Sequence, residues 1–146
     1  GHGVSLGITP SRGVATWGAY GAGLDGVAGA VAPATPLPVA GIANARSVYA
    51  GEFQCATIDA AGALFTWGLA LDGALGRAAP ALEAAPGRVA GLPPVRDVAI
   101  GKGYMLARDG QGNLLSGAYA ERHSDPFMRY VSTEKRWAEF HSPLDP

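Results

Sequence analysis

Val14-Ala15-Thr16-Trp17-Gly18 is written again fifty residues later as Leu64-Phe65-Thr66-Trp67-Gly68, and the landmarks around both copies recur at the same offset. Gly1, Gly51 and Gly101 open successive units, and Gly23 and Gly26 answer to Gly73 and Gly76. Pro36-x-x-Val39 answers to Pro86-x-x-Val89, Gly41-Ile42 to Gly91-Leu92, and Val48 to Val98. Even with 22 glycines in 146 residues, so many matches at one spacing are not an accident of composition. A period of this length marks a solenoid or a propeller, whose units bury their apolar faces only against neighbouring units.

Within a unit the pattern is one of short extended pieces. Val4 to Thr9 is mostly apolar and ends at Pro10, which has no amide to give a strand ladder. Pro10-Ser11-Arg12-Gly13 offers a fixed φ and a permissive glycine for a tight hairpin, and Val14 to Trp17 returns. Gln54 to Asp59, Ala60-Ala61-Gly62 and Ala63 to Trp67 repeat the arrangement. Tyr104 to Arg108, Asp109-Gly110-Gln111-Gly112 and Asn113 to Gly117 begin it a third time, with Ser116 at the tryptophan position. Two further pieces follow each complete hairpin: Pro36 to Ala40 and Ala45 to Ala50, then Gly87 to Ala90 and Val95 to Ile100.

Four strands per unit is the arithmetic of one propeller blade. The expected fold is therefore all-β: a β-propeller segment of about two and a half four-stranded blades over residues 1–117, in units 1–50, 51–100 and 101–117, followed by an irregular or helical C-terminal tail, 118–146. Trp17 and Trp67, recurring at one strand position, are assigned to the spaces between blades. With Gly18, Gly23, Gly26, Gly68, Gly73 and Gly76 they form the structural frame.

Gly-x-x-x-Ser-Leu-Gly-Ile, then Val-Ala-Thr-Trp-Gly-x-x-x-x-Gly-x-x-Gly, then Pro-x-x-Val, resembles the regulator of chromosome condensation repeat over residues 1 to about 117. The resemblance implies a part of a seven-bladed β-propeller. The family's histidine three residues after the opening glycine is replaced by Val4, Gln54 and Tyr104. Its asparagine three residues after the tryptophan is replaced by Tyr20 and Ala70, and its Gly-Gln-Leu-Gly reads Gly23-Leu24-Asp25-Gly26 and Gly73-Ala74-Leu75-Gly76. Some members of that family exchange guanine nucleotide on a small GTPase, using loops and an inserted wedge, and many are adaptors in larger assemblies. The strict register from Gly1 through Gly51 to Gly101 leaves no room for such an insertion.

No catalytic, metal or cofactor site emerges. Gly21-Ala22-Gly23-Leu24-Asp25-Gly26 fits a dinucleotide fingerprint in spelling, but prolines at 33, 36 and 38 forbid the helix it needs, and no acid lies between Asp25 and Glu52. His2, His123 and His141 stand far apart without metal-ligand spacing, and no Gly-x-Ser-x-Gly occurs. Cys55, the one cysteine, permits no internal disulfide and reads as a small buried residue. A net charge of -1 supplies no field for nucleic acid, and no window nears the 18 continuous apolar residues of a membrane span. The loops after each Trp-Gly, roughly Val27 to Thr35 and Arg77 to Ala85, hold only Arg77 and Glu83 as charges.

From Ala118 the character changes. The first 50 residues carry three charges, while the last 29 carry nine together with Tyr119, Phe127, Tyr130, Trp137 and Phe140. Asp125-Pro126 is able to open a helix with the apolar residues broadly on one side, and Ser142-Pro143 to close it; an extended tail is the competing form. Aromatics among mixed charge suit a protein contact, and equally suit a tail folded over the last blade. Gly1 opens a repeat in mid-pattern, which reads as a processed or truncated product. Open blade edges call for other protein subunits to cover them. The expectation is a non-catalytic interaction or scaffold element of a larger assembly, the alternative being part of a guanine-nucleotide exchange factor for a small GTPase. A chromatin-binding role ranks third, since residues 118–146 hold five acids against four bases. No residue carries an address, although a subunit of an organellar complex would suit the pattern.

Overall fold

The computed structural model describes residues 3–18, 34–70, 73–117 and 138–140, which form three antiparallel sheets. The first sheet holds β1 (Val4–Ile8), β2 (Val14–Gly18) and β3 (Leu37–Val39) in that order. The second holds β4 (Ala45–Ala50), β5 (Gln54–Asp59), β6 (Leu64–Leu69) and β7 (Leu82–Arg88). In the third, β8 (Val95–Ile100), β9 (Met105–Asp109), β10 (Leu114–Gly117) and β11 (Ala138–Phe140) lie side by side. The chain is thus an all-β partial propeller.

One hairpin design serves all three sheets. Thr9, Asp59 and Asp109 each donate a backbone N–H to the carbonyl four residues on, in Gly13, Ala63 and Asn113, at 3.0, 3.0 and 3.1 Å. The side-chain oxygen of each accepts the N–H of that same residue, at 3.0, 2.8 and 2.9 Å. The turn closes through a left-handed residue: Arg12 (φ 62°), Gly62 (φ 86°) or Gly112 (φ 92°). In the first hairpin that residue is Arg12 rather than the expected Gly13, because the N–H at position 12 must turn back to the Thr9 carbonyl, 2.9 Å away.

The sheets are out of phase with the sequence units. Ala45–Ala50, the last strand of unit 1–50, pairs with β5 of the next unit, and Val95–Ile100 pairs with β9 in the same way. The cause lies where these strands begin. The Ala45 N–H bonds to the Arg12 carbonyl and the Val95 N–H to the Gly62 carbonyl, both at 2.8 Å, so each sheet starts against the hairpin of the sheet before it. Strand β7 begins at Leu82, earlier than the expected Gly87, and shortens the second loop.

At the other end, 138–140 is a strand rather than part of a helix. It pairs Leu114 with Phe140, Leu115 with Glu139 and Ser116 with Ala138. The edge of β10 offers backbone partners that outweigh a helical spacing of apolar residues. Tyr119, Phe127, Tyr130 and Trp137 lie outside the described residues, as do Gly23 and Gly26.

Alternation along the strands sends facing sides of neighbouring sheets into two cores, and the second sheet gives one face to each. Val4, Val14 and Val39 of the first sheet pack with Cys55 and Trp67 of the second, joined by Ile42 and Ala45. Ala56, Ile58, Leu64, Leu75 and Val89 pack with Val95, Val98, Met105, Ala107 and Leu115 of the third.

The hairpin chemistry makes a pH prediction. Asn113 and the turn amides hydrogen-bond the Asp109 carboxylate and hold its pKa below the usual aspartate value. A depressed carboxyl contributes stability above the ordinary value near pH ~4 and loses it as pH falls. Amide exchange at Gln111 and Asn113, corrected for intrinsic rates, is expected to accelerate below about pH 4, and Asp109→Ala to remove that step.

Candidate functional site

The repeated Trp-Gly pairs set the geometry between sheets. Trp17 stands opposite Ser5, and Trp67 opposite Cys55, on corresponding strands. The glycine that follows takes φ of 117° at Gly18 and 108° at Gly68, a conformation closed to most side chains. A β-carbon at Gly18 would overlap the Gly3 carbonyl.

The Gly73-Ala74-Leu75-Gly76 turn, with both glycines at positive φ, sends Leu75 into the core with no exposed surface. There the Leu75 carbonyl accepts the buried Thr66 hydroxyl at 2.8 Å. Arg77 completes the turn. Its Nη2 donates to the Thr66 carbonyl at 2.8 Å, and Glu83 lies 3.9 Å from its Nη1. Burial lowers the Arg77 pKa and Glu83 opposes that shift, so both of these charges serve the fold.

The tryptophans themselves differ. Trp67 is wholly buried between the first and second sheets, whereas Trp17 is half-buried. Trp67 points back toward the preceding sheet, so Trp17 in the same register points from the first sheet away from the second. Its ring lies on Gly7, where a β-carbon would come within 3.2 Å. Ser5 and Ala15, which share that face, are half-buried too.

The far face of the third sheet has another character. Ile58 and Leu64 of the second sheet are buried, while Arg108 and Leu114 at the corresponding places are exposed and half-buried. Arg108 makes an ion pair with Asp97, and its hydrogen bond holds the Asp97 carboxyl below the usual range. One outer face of the stack is therefore aromatic and small, and the other carries a charge pair.

Arg46 forms the other joint. Its Nη2 donates to the carbonyls of Val95 and Arg96, at 2.9 and 3.0 Å, pinning the second sheet to the third. Beside it lies a shallow cavity of about 190 Å³ lined by Gly62, Pro94, Arg96 and Gly110. Sequence reasoning passed over Arg46 and the hairpin acids. Their signal was the same fifty-residue offset that exposed the frame, since Arg46 recurs as Arg96 and Asp59 as Asp109. Among the described residues no group of three metal-ligating side chains occurs, and no helix is long and apolar enough to cross a membrane.

Residues 61–108 match the family model of the Regulator of chromosome condensation (RCC1) repeat. The chain carries an RCC1 repeat. Human WBSCR16 aligns with a TM-score of 0.77 and 20% identity over 95% of this chain and 36% of its own. Yeast RCC1 (Prp20), solved bound to Kap60, aligns at 0.81 and 18% identity over 99% of this chain and 36% of its own. Prp20p from Saccharomyces cerevisiae, described with its binding properties to Gsp1p and histones, aligns at 0.81 and 18% over 99% and 38%. The chain therefore spans little more than a third of the length of these solved chains. No curated protein matches it by sequence.

The RCC1-type frame predicts unequal roles for the two tryptophans. Trp67→Ala opens a cavity between two sheets and is expected to cost about 3–5 kcal/mol, read as a lower midpoint in denaturant. Trp17→Ala is expected to cost less than half as much, because its ring faces no second sheet among the described residues. Equal losses would place both rings in equivalent packing.

Proposed function

We propose that this chain works without catalysis, as a protein-interaction or scaffold element of a larger assembly in which a further sheet, of its own protein or of a partner, covers the Trp17 face of the first sheet. The observation behind this reading is the contrast between two residues in the same strand register. Trp67 loses all its exposure against a neighbouring sheet, while Trp17, opposite Ser5 and against Gly7, keeps part of its surface. A large aromatic on a surface of small residues is the composition of an interface centre, where desolvating one ring contributes much of the affinity.

Three pairs of opposite charge support the non-catalytic part of the reading. Arg77 and Glu83 are spent on the Gly73–Gly76 turn, Lys102 lies 3.5 Å from Glu52, and Arg108 is paired with Asp97. Exchange of guanine nucleotide on a small GTPase remains the second reading. It is favoured by the likeness to Prp20p, which is described as binding Gsp1p.

Gentle isolation from the source, followed by native mass measurement, tests the reading. A defined complex larger than the 14.8 kDa chain is expected, and Trp17→Lys is expected to shift the chain out of that complex while leaving its melting transition in place. Truncation after Gly117 separates this face from the aromatic tail, and association should survive the cut. A monomer at native mass overturns the interaction reading; loss of the complex on truncation moves the contact to the tail.

A further inference from the structure

Arg46 is bound into the fold through one nitrogen of its guanidinium. The Nη2 bonds to the Val95 and Arg96 carbonyls, at 2.9 and 3.0 Å, join two sheets but bring no countercharge. Nη1 and Nε take no part in them, and the residue is exposed. The neighbouring acids are engaged elsewhere. Asp59, in the register position opposite Ala45, accepts the Ala61 and Ala63 N–H groups at 2.9 and 2.8 Å. Gln111 and Asn113 take up the Asp109 carboxylate, and Asp97, held first by its hydrogen bond from Arg108, also feels Arg46 and Arg96. Among the described residues no ion pair reaches Arg46.

Beside this guanidinium lies the cavity of about 190 Å³, between Ala61 and Gly62 of one hairpin, Pro94 ahead of β8, and Gly110 of the next hairpin. The turning segments at this end, 40–44, 59–63, 89–94 and 109–113, are all described, and both sheets that flank the cavity are four-stranded. Its walls therefore owe nothing to either end of the sequence.

We propose that this cavity receives a carboxylate side chain from an acidic segment of a partner polypeptide, held by the guanidinium nitrogens of Arg46 that the joint leaves unused. The proposal goes beyond the interaction reading by naming a second surface and its chemistry, and it does not depend on the Trp17 face. Charge complementarity selects the partner. Arg96 lines the same cavity, and the exposed Arg12 stands beside the start of β4, where its carbonyl takes the Ala45 N–H at 2.8 Å. A planar guanidinium has donors to spare beyond the two carbonyls, and a bond to an ionised acceptor is the stronger kind. The small lining residues let a peptide backbone come close. Nucleic acid suits the site less, since no aromatic lines it for a base to stack on and a net charge of -1 offers no track for phosphates.

Titration of the full chain with a blocked peptide of alternating glutamate and alanine tests this, its glutamine counterpart serving as control. The Gly62, Val95 and Gly110 amide resonances are expected to shift, and the glutamate peptide to bind about tenfold tighter than the control at low salt, less so as salt rises. Arg46→Gln should remove that preference, but it also loosens the joint between the sheets. Ala61→Glu keeps the joint and supplies a carboxylate from within, so it should abolish binding while leaving the melting transition in place. Equal binding of the two peptides overturns the proposal, as does binding that survives Ala61→Glu. Acetate that produces the same shifts at the same carboxylate concentration makes this a small-anion site and overturns it. A single-stranded oligonucleotide that displaces the peptide assigns the site to nucleic acid and equally overturns it. If the peptide fails to bind while the chain keeps its native complex, this proposal alone falls; if the peptide binds a chain that is monomeric at native mass, the interaction reading falls and the site stands.

Discussion

A twisted sheet has two faces, and the second sheet buries each of them against another sheet rather than against a helix. Every other feature follows from that constraint. Trp67 fills the space between the first and second sheets, while Ile58, Leu64 and Leu75 fill the next, and each layer rests on the one behind it. A unit taken alone would expose these residues. Stability in such a stack is a property of neighbouring pairs, so the outermost faces and edges are where further binding energy is available.

The joints between sheets are polar and repeat as faithfully as the core. Ala45 and Val95 begin their strands on the carbonyl of the preceding hairpin, and Arg46 reaches forward to the carbonyls of the following sheet. Thr9, Asp59 and Asp109 each hold a hairpin closed with a side-chain oxygen. Asymmetry appears only at the outer faces. There Trp17 and small residues stand at one side of the stack, and the Arg108–Asp97 pair at the other. An aromatic face gains from being covered, whereas covering an ion pair carries a desolvation cost.

Much of this was legible in the chain itself. The fifty-residue offset announced repeated blades, and the hairpins fell where the glycines and Pro10 placed them. The grouping of strands was not legible. Ala45–Ala50 reads as the close of its own unit, and only the bond from the Ala45 N–H to the Arg12 carbonyl assigns it to the next sheet. Likewise 138–140 has the spacing of a helix face, but the open edge of β10 makes it a strand. The aromatics at 119, 127, 130 and 137, on which the expected tail contact rests, lie outside the described residues.

Local chemistry determined the elements: period-two apolar runs make strands, and Gly62, Gly112 and the capping acids close the turns, because these depend on residues a few positions apart. Tertiary structure decided which copy of a repeated residue is core and which is surface. Trp17 and Trp67 sit in nearly the same local sequence, so nothing in their neighbours along the chain can distinguish them. Among the described residues only Trp67 has a sheet across the gap, and that contact separates the two.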